Sequence, residues 1–178
     1  MKRNQMFLEK IRDGKGTTII TIDGFLNEGN SNIDDWQKAL RNKYPNNPWF
    51  HLHWKSENLN KLIQKTATSF LLAYSIPATL SLMATSIISI PVVLIRFSGI
   101  IFSWRKALKI SEKTGENLPK IIEELKVEKI ILVGHSLGSR VIYHCLKKIK
   151  TNTVYEIHLL GGAVNNNKLK WELIENRK

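Results

Sequence analysis

The chain predicts an α/β domain: a mostly parallel sheet with flanking helices. Two patterns and one size argument lead there. Short β-branched runs such as "TTIITI" and "KIILVG" read as buried strands. Helical stretches such as "NIDDWQKALRNKY" and "SLGSRVIYHCLKKIK" alternate with them. The 178 residues are 43% apolar, enough for one domain with a real core, and contain no repeat or low-complexity linker. We therefore read 1–178 as a single domain.

The elements follow in order. The N-terminus "MKRNQMFLEKIRDGKG" is charged and lacks an apolar h-region, so no signal peptide is expected and a cytoplasmic origin is the default. Gly16 to Phe25 is a buried strand with an exit loop at Asp23-Gly24. Asn32 or Asp34 caps a helix that places Trp36, Ala39, Leu40 and Tyr44 at helical spacing before Pro45. Asn46 to Trp54 reads as a strand with Trp49, His51 and His53 on one face and Phe50, Leu52 and Trp54 on the other.

Beyond the apolar middle, "WRKALKISEKTGENLPKIIEELK" is helical, with Pro119 marking a bend or a new start. "VEKIILVG" is a strand, and the helix after it aligns Leu137, Val141, His144 and Cys145 along one side. "TVYEIHLLGGAV" is a further strand, and "NNNKLKWELIENRK" begins a helix or loop.

The net charge is +12. Nucleic acid and anionic membrane are the usual partners of such a balance. The lysines mostly stand beside glutamates rather than interleaved with aromatics, so nucleic acid is excluded as the expected partner. The single cysteine, Cys145, forbids an internal disulfide and reads as buried packing. No cofactor and no metal are called for.

The middle of the chain is different in kind. From Thr66 to Ile95 no residue is charged, and apolar character continues past Arg96 to Trp104. The strands on either side belong to one sheet, so the chain must return to the side it left. Two full spans need about 20 residues each plus a turn, more than this stretch holds, and Pro77 and Pro91 interrupt straight helices. A helical hairpin over 66–104 that dips into one leaflet fits best; a soluble lid and a buried core hairpin are the alternatives. Lys55, Lys61 and Lys65 precede it and Arg105, Lys106 and Lys109 follow. Basic flanks on both sides suit the anionic cytoplasmic face of a membrane.

The chemistry centres on Gly134-His135-Ser136-Leu137-Gly138, a G-x-S-x-G directly after a strand and directly before a helix. That is the setting of a nucleophile elbow, in which a sharp turn exposes a serine hydroxyl at a helix N-terminus. Gly134 and Gly138 allow strand and helix to approach; a glycine-rich turn with an ordinary N-cap serine is the plainer alternative. The backbone N–H of Leu137, with that of Phe25 or Gly24, is placed to hold an oxyanion. Asp23 would repel such an anion, so its side chain is expected to turn away, or to cap Asn27 or Glu28.

"TIDGFLNEG", "DDWQKAL", "WFHLHW", "WRKALKISEKTGENL" and "IILVGHSLGSRVIYHCL" followed by "IHLLGGAV" occur in that order. Together they resemble the α/β-hydrolase family named after transmembrane-and-coiled-coil-domain proteins, domain of unknown function 726. The resemblance covers roughly Thr17 to Val164. It implies an α/β-hydrolase-like fold, a serine hydrolase acting on lipid or acyl esters with Ser136 as nucleophile, and membrane association. It also implies strands carrying an acid and then a histidine after "IHLLGGAV". The chain reads as incomplete there: His144 is too far along its helix, His158 lies within a strand, and His51 and His53 precede the serine. The expectation is a membrane-associated hydrolase whose base and acid come from elsewhere, or a non-catalytic membrane-docked domain of the same fold.

Overall fold

The structure is a computed structural model describing residues 6–24, 33–55, 89–150 and 152–176, with the long helix described by its backbone alone before Trp104. Among the described residues five strands make one sheet: β1 (Met6–Arg12), β2 (Thr18–Ile22), β3 (Trp49–Trp54), β4 (Ile130–His135) and β5 (Val154–Leu160). Their spatial order is β1-β3-β2-β4-β5. All neighbours pair in parallel except β1, which runs antiparallel to β3 at one edge. The helices are α1 (Ile33–Leu40), α2 (Ser89–Glu124), α3 (Leu137–Leu146) and α4 (Lys168–Glu175). This is the mostly parallel, helix-flanked α/β sheet that the sequence predicts.

Period-two alternation divides the core into two layers. Ile20 and Ile22 of β2 face Leu118 and Ile122 of α2 and Leu137, Val141 and Ile142 of α3. Ile19 points the other way, to Trp36 and Leu40 of α1, with Tyr44, Trp49, Ile131 and Val133. Every residue of β2 is buried because both faces of this central strand are covered, which is why it reads as a continuous apolar run. In α1 the buried residues are Trp36 and Leu40, with Tyr44 buried just beyond the helix, while Ala39 is exposed. Asp34 sits inside the first turn, where its charge suits the helix N-terminus, rather than capping it; Asn32 lies outside the described residues.

The sequence reading leaves β1 unassigned. Only Met6 and Leu8 of its residues pack on the larger core, while Glu9 and Lys10 are exposed. Charged side chains belong on an edge strand, where they discourage pairing with another chain, and they hide its strand character.

At Pro119 no new helix starts. α2 runs unbroken through it for 36 residues. An interior proline costs roughly 3 kcal/mol. Leu118 and Ile122, at 0% and 2% exposure, anchor the helix on both sides of it and offset that cost. The 89–104 part of the apolar stretch is therefore continuous with the amphipathic helix that follows, and 66–88 lie outside the described residues. Among the described residues no helix is long and apolar enough to cross a membrane.

α2 and α3 cross at Gly115. A Cβ there would lie 2.3 Å from the Val141 carbonyl oxygen and 2.7 Å from His144 Cβ. Flanking pairs, Glu112 with Arg140 at 3.6 Å and Glu116 with Lys148 at 3.9 Å, are long and partly exposed, so packing rather than charge holds the crossing. Gly115→Ala should push the helices apart and lower stability by about 1–3 kcal/mol, the usual cost of overpacking, read from the midpoint of urea unfolding.

Candidate functional site

The site forms where two neighbouring parallel strands end. The chain leaves β2 towards β3 on one side and later returns to β4 on the other, so β2 and β4 flank a topological switch point. Crevices at the carboxyl ends of strands at such a point are the usual ligand sites of open α/β sheets. The register pairs Ile22 with Gly134, which brings Asp23-Gly24 alongside His135-Ser136.

Ser136 carries the local strain. Its φ is 51° and its ψ −115°, a region closed to most side chains. Such a residue costs on the order of 1–3 kcal/mol and persists only where its surroundings hold it. Three backbone contacts do so. Ser136 N–H donates to the Leu160 carbonyl at 2.9 Å, and the Ser136 carbonyl accepts from Ser139 N–H and Ala163 N–H, both at 3.1 Å. The end of β5 and the loop after it thus grip the serine at both its N–H and its carbonyl, a role of "LLGGAV" that the sequence alone does not show. Ser136 makes no side-chain cap bond to α3, so it is not an ordinary N-cap serine.

Gly138 lies where α3 meets the end of β2. A Cβ there would stand 2.1 Å from the Ile22 carbonyl oxygen. Gly134 packs in turn on the Gly138 backbone. Gly24 faces the serine: a Cβ on it would stand 3.3 Å from Ser136 Oγ and 2.8 Å from Ser136 Cβ. Leu137 is the first residue of α3 and fully buried, so its N–H has no carbonyl one turn back within the helix. Phe25 lies outside the described residues.

Asp23 turns away from the serine. Its Oδ1 accepts from Trp36 Nε1 at 2.7 Å and its Oδ2 lies 3.4 Å from His51 Nε2. Its carbonyl accepts from Trp54 Nε1 at 3.0 Å. His51 Nδ1 is 2.8 Å from Thr21 Oγ1, which also accepts from Trp49 Nε1 at 2.9 Å. These tryptophans appear in the sequence only as helix and strand positions; their convergence on the end of β2 and its exit loop is tertiary.

Among the described residues no histidine bonds Ser136. His51 is held as above, and His53 pairs with Glu9 on the edge strand. His144 is buried under α2 with Nδ1 3.8 Å from Glu112, and burial pushes its pKa down. His158 meets Tyr44 Oη at 2.9 Å and Glu156 at 3.1 Å, on the α1 side of the sheet. Lys43, bonding Glu156 at 2.7 Å, holds that carboxyl below its usual range. His135 is exposed. No cluster of metal-ligating side chains occurs among the described residues.

The family described as "Protein of unknown function (DUF726)" matches residues 4–176. The chain belongs to that family. An uncharacterized membrane protein of Schizosaccharomyces pombe (strain 972 / ATCC 24843) is 34% identical over 74 residues. That match covers 38% of this chain and 10% of the relative, so the chain spans a small part of the length of the protein it matches. Among solved structures, alpha/beta hydrolase domain-containing protein 10 from mouse is similar with a TM-score of 0.42 and 14% identity, over 97% of this chain and 52% of that one.

Two outcomes follow from the geometry. Burial pushes the Cys145 thiol up to about 12, so essentially no thiolate exists at neutral pH. Maleimide should leave Cys145 unmodified in the native protein and modify it once urea unfolds the chain, as mass spectrometry will show. Ser136→Gly should be more stable than Ser136→Ala by about 1 kcal/mol in denaturant unfolding, because glycine enters this backbone region without strain.

Proposed function

We propose that this domain carries the nucleophile and oxyanion cradle of a serine ester hydrolase working at a membrane surface. The observation that supports it most is the strained elbow of Ser136 with Gly24 packed against its hydroxyl. Strain held in place at a switch point is a sign of function. In this reading Ser136 Oγ attacks an acyl carbonyl, and the proton passes to a base. The tetrahedral oxyanion is held by the N–H of Leu137 and one from Gly24 or Phe25. The base and its acid are groups other than the described histidines, supplied beyond the described residues or by another chain.

A lipid or acyl ester is the substrate class we propose. The support is the uncharged Thr66–Ile95 stretch, its basic flanks, and a relative that is a membrane protein. We place the domain on an anionic cytoplasmic membrane face on the same grounds.

A second reading has its own support, since no described histidine reaches Ser136: an α/β-hydrolase-like domain that docks on membranes without turnover. A fluorophosphonate probe separates them. The full chain should be labelled at Ser136, and Ser136→Ala should lose all labelling, whereas a folded protein that never labels favours the non-catalytic reading.

A further inference from the structure

The loop that faces Ser136 begins where the β2–β4 register ends, at Ile22. We propose that Trp36 and Trp54 are positioning residues that hold the Asp23–Gly24 peptide against Ser136 through their indole N–H groups. This rests on the reading of Ser136 as a nucleophile and of this loop as part of its oxyanion cradle.

The two indoles come from opposite faces of the sheet. Trp36, on α1, belongs to the smaller core layer, and Trp54, the last residue of β3, to the larger one. Trp36 is 6% exposed, Trp54 5% and Asp23 5%, so both hydrogen bonds are shielded from water. Trp36 Nε1–H donates to the carboxylate at 2.7 Å, a charge-assisted bond of the stronger kind. Trp54 Nε1–H donates to the Asp23 carbonyl at 3.0 Å.

The second contact has the more direct consequence. The Asp23 carbonyl and the Gly24 N–H share one planar peptide unit, so holding one fixes the direction of the other. Fixing the side chain and the carbonyl from two sides removes the loop's rotation as well as its drift. Oxyanion donors act by being in place before charge develops, and a displacement near 1 Å costs on the order of 10²-fold in rate. Phenylalanine would fill most of either site but offer no donor.

The test uses the full chain with Trp36→Phe and Trp54→Phe. Thermal unfolding confirms folding, amide exchange at Gly24 reads the loop, and the rate of fluorophosphonate labelling reads the site. Each variant should speed Gly24 exchange by at least about 10-fold and slow labelling on the order of 10- to 100-fold, with β4 amides as protected as in the parent. If Trp54→Phe fails to fold, benzothienylalanine at position 54, which exchanges only the indole N–H for sulfur, takes its place. Unchanged Gly24 exchange, or a released loop with an unchanged labelling rate, overturns the proposal. A parent chain that never labels sinks the nucleophile reading instead, and Gly24 exchange still decides whether the indoles hold the peptide.

Discussion

The close approach of α3 to the carboxyl end of β2 is the constraint on which the rest of the molecule depends. Gly138 sits where any Cβ would strike the Ile22 carbonyl, and Gly134 packs on Gly138 in turn. Without that approach the turn between β4 and α3 would open, and Ser136 would have no reason to hold a φ of 51°. With it, β2 and β4 end side by side, and the loop after one strand meets the serine after the other. The apolar layers are arranged to keep it so. Leu137, Val141 and Ile142 of α3 are fully buried against Ile20 and Ile22 of the same strand, and α2 crosses over them at Gly115. Fully burying side chains of this size stabilises by roughly 1.5–3 kcal/mol each. The strain at one residue is therefore small against the packing that imposes it.

Much of this was legible in the sequence because single segments carry it. β2 and β4 are buried on both faces, so their apolar runs announce them without a partner in view. The elbow is legible because strand, G-x-S-x-G and helix are contiguous. β1 was not, since half of its residues face water and its strand character exists only through pairing with β3. That the helix continues through Pro119 was not legible for the opposite reason: the proline's local cost is real, but the burial of Leu118 and Ile122 outweighs it, and no local window contains that contact. The strand faces of Trp49 to Trp54 were read correctly, yet what those side chains bond was not. The partners of Trp36, Trp49 and Trp54 lie 13 to 31 residues away along the chain.

The same separation explains why the histidines were hard to place from sequence. His53, His144 and His158 each face a group on an element distant in the chain or across the fold, although the buried His144 Nε2 has no hydrogen-bond partner. His53 joins β3 to β1, His144 joins α3 to α2, and His158 joins β5 to the turn after α1. His53 and His158 meet carboxylates at the sheet's margins, Glu9 in the first case and Glu156, already held by Lys43 and Tyr44, in the second. A histidine with a structural partner is poorly disposed to leave it as a general base.

His51 leads to the last step. Thr21 Oγ accepts from Trp49 Nε1–H, which leaves the hydroxyl hydrogen to donate. Of its neighbours, His51 Nδ1 at 2.8 Å is better placed than the Phe50 carbonyl at 3.4 Å. A donor to Nδ1 assigns the ring's hydrogen to Nε2, which faces Asp23 Oδ2. The Asp23 carboxylate then meets N–H groups at both oxygens, from Trp36 and from His51, and both draw it off the serine. In the proposed reading, an acid one residue from an oxyanion cradle is tolerable only on those terms. Drawn that way, it serves as the handle by which the indole of α1 holds the loop.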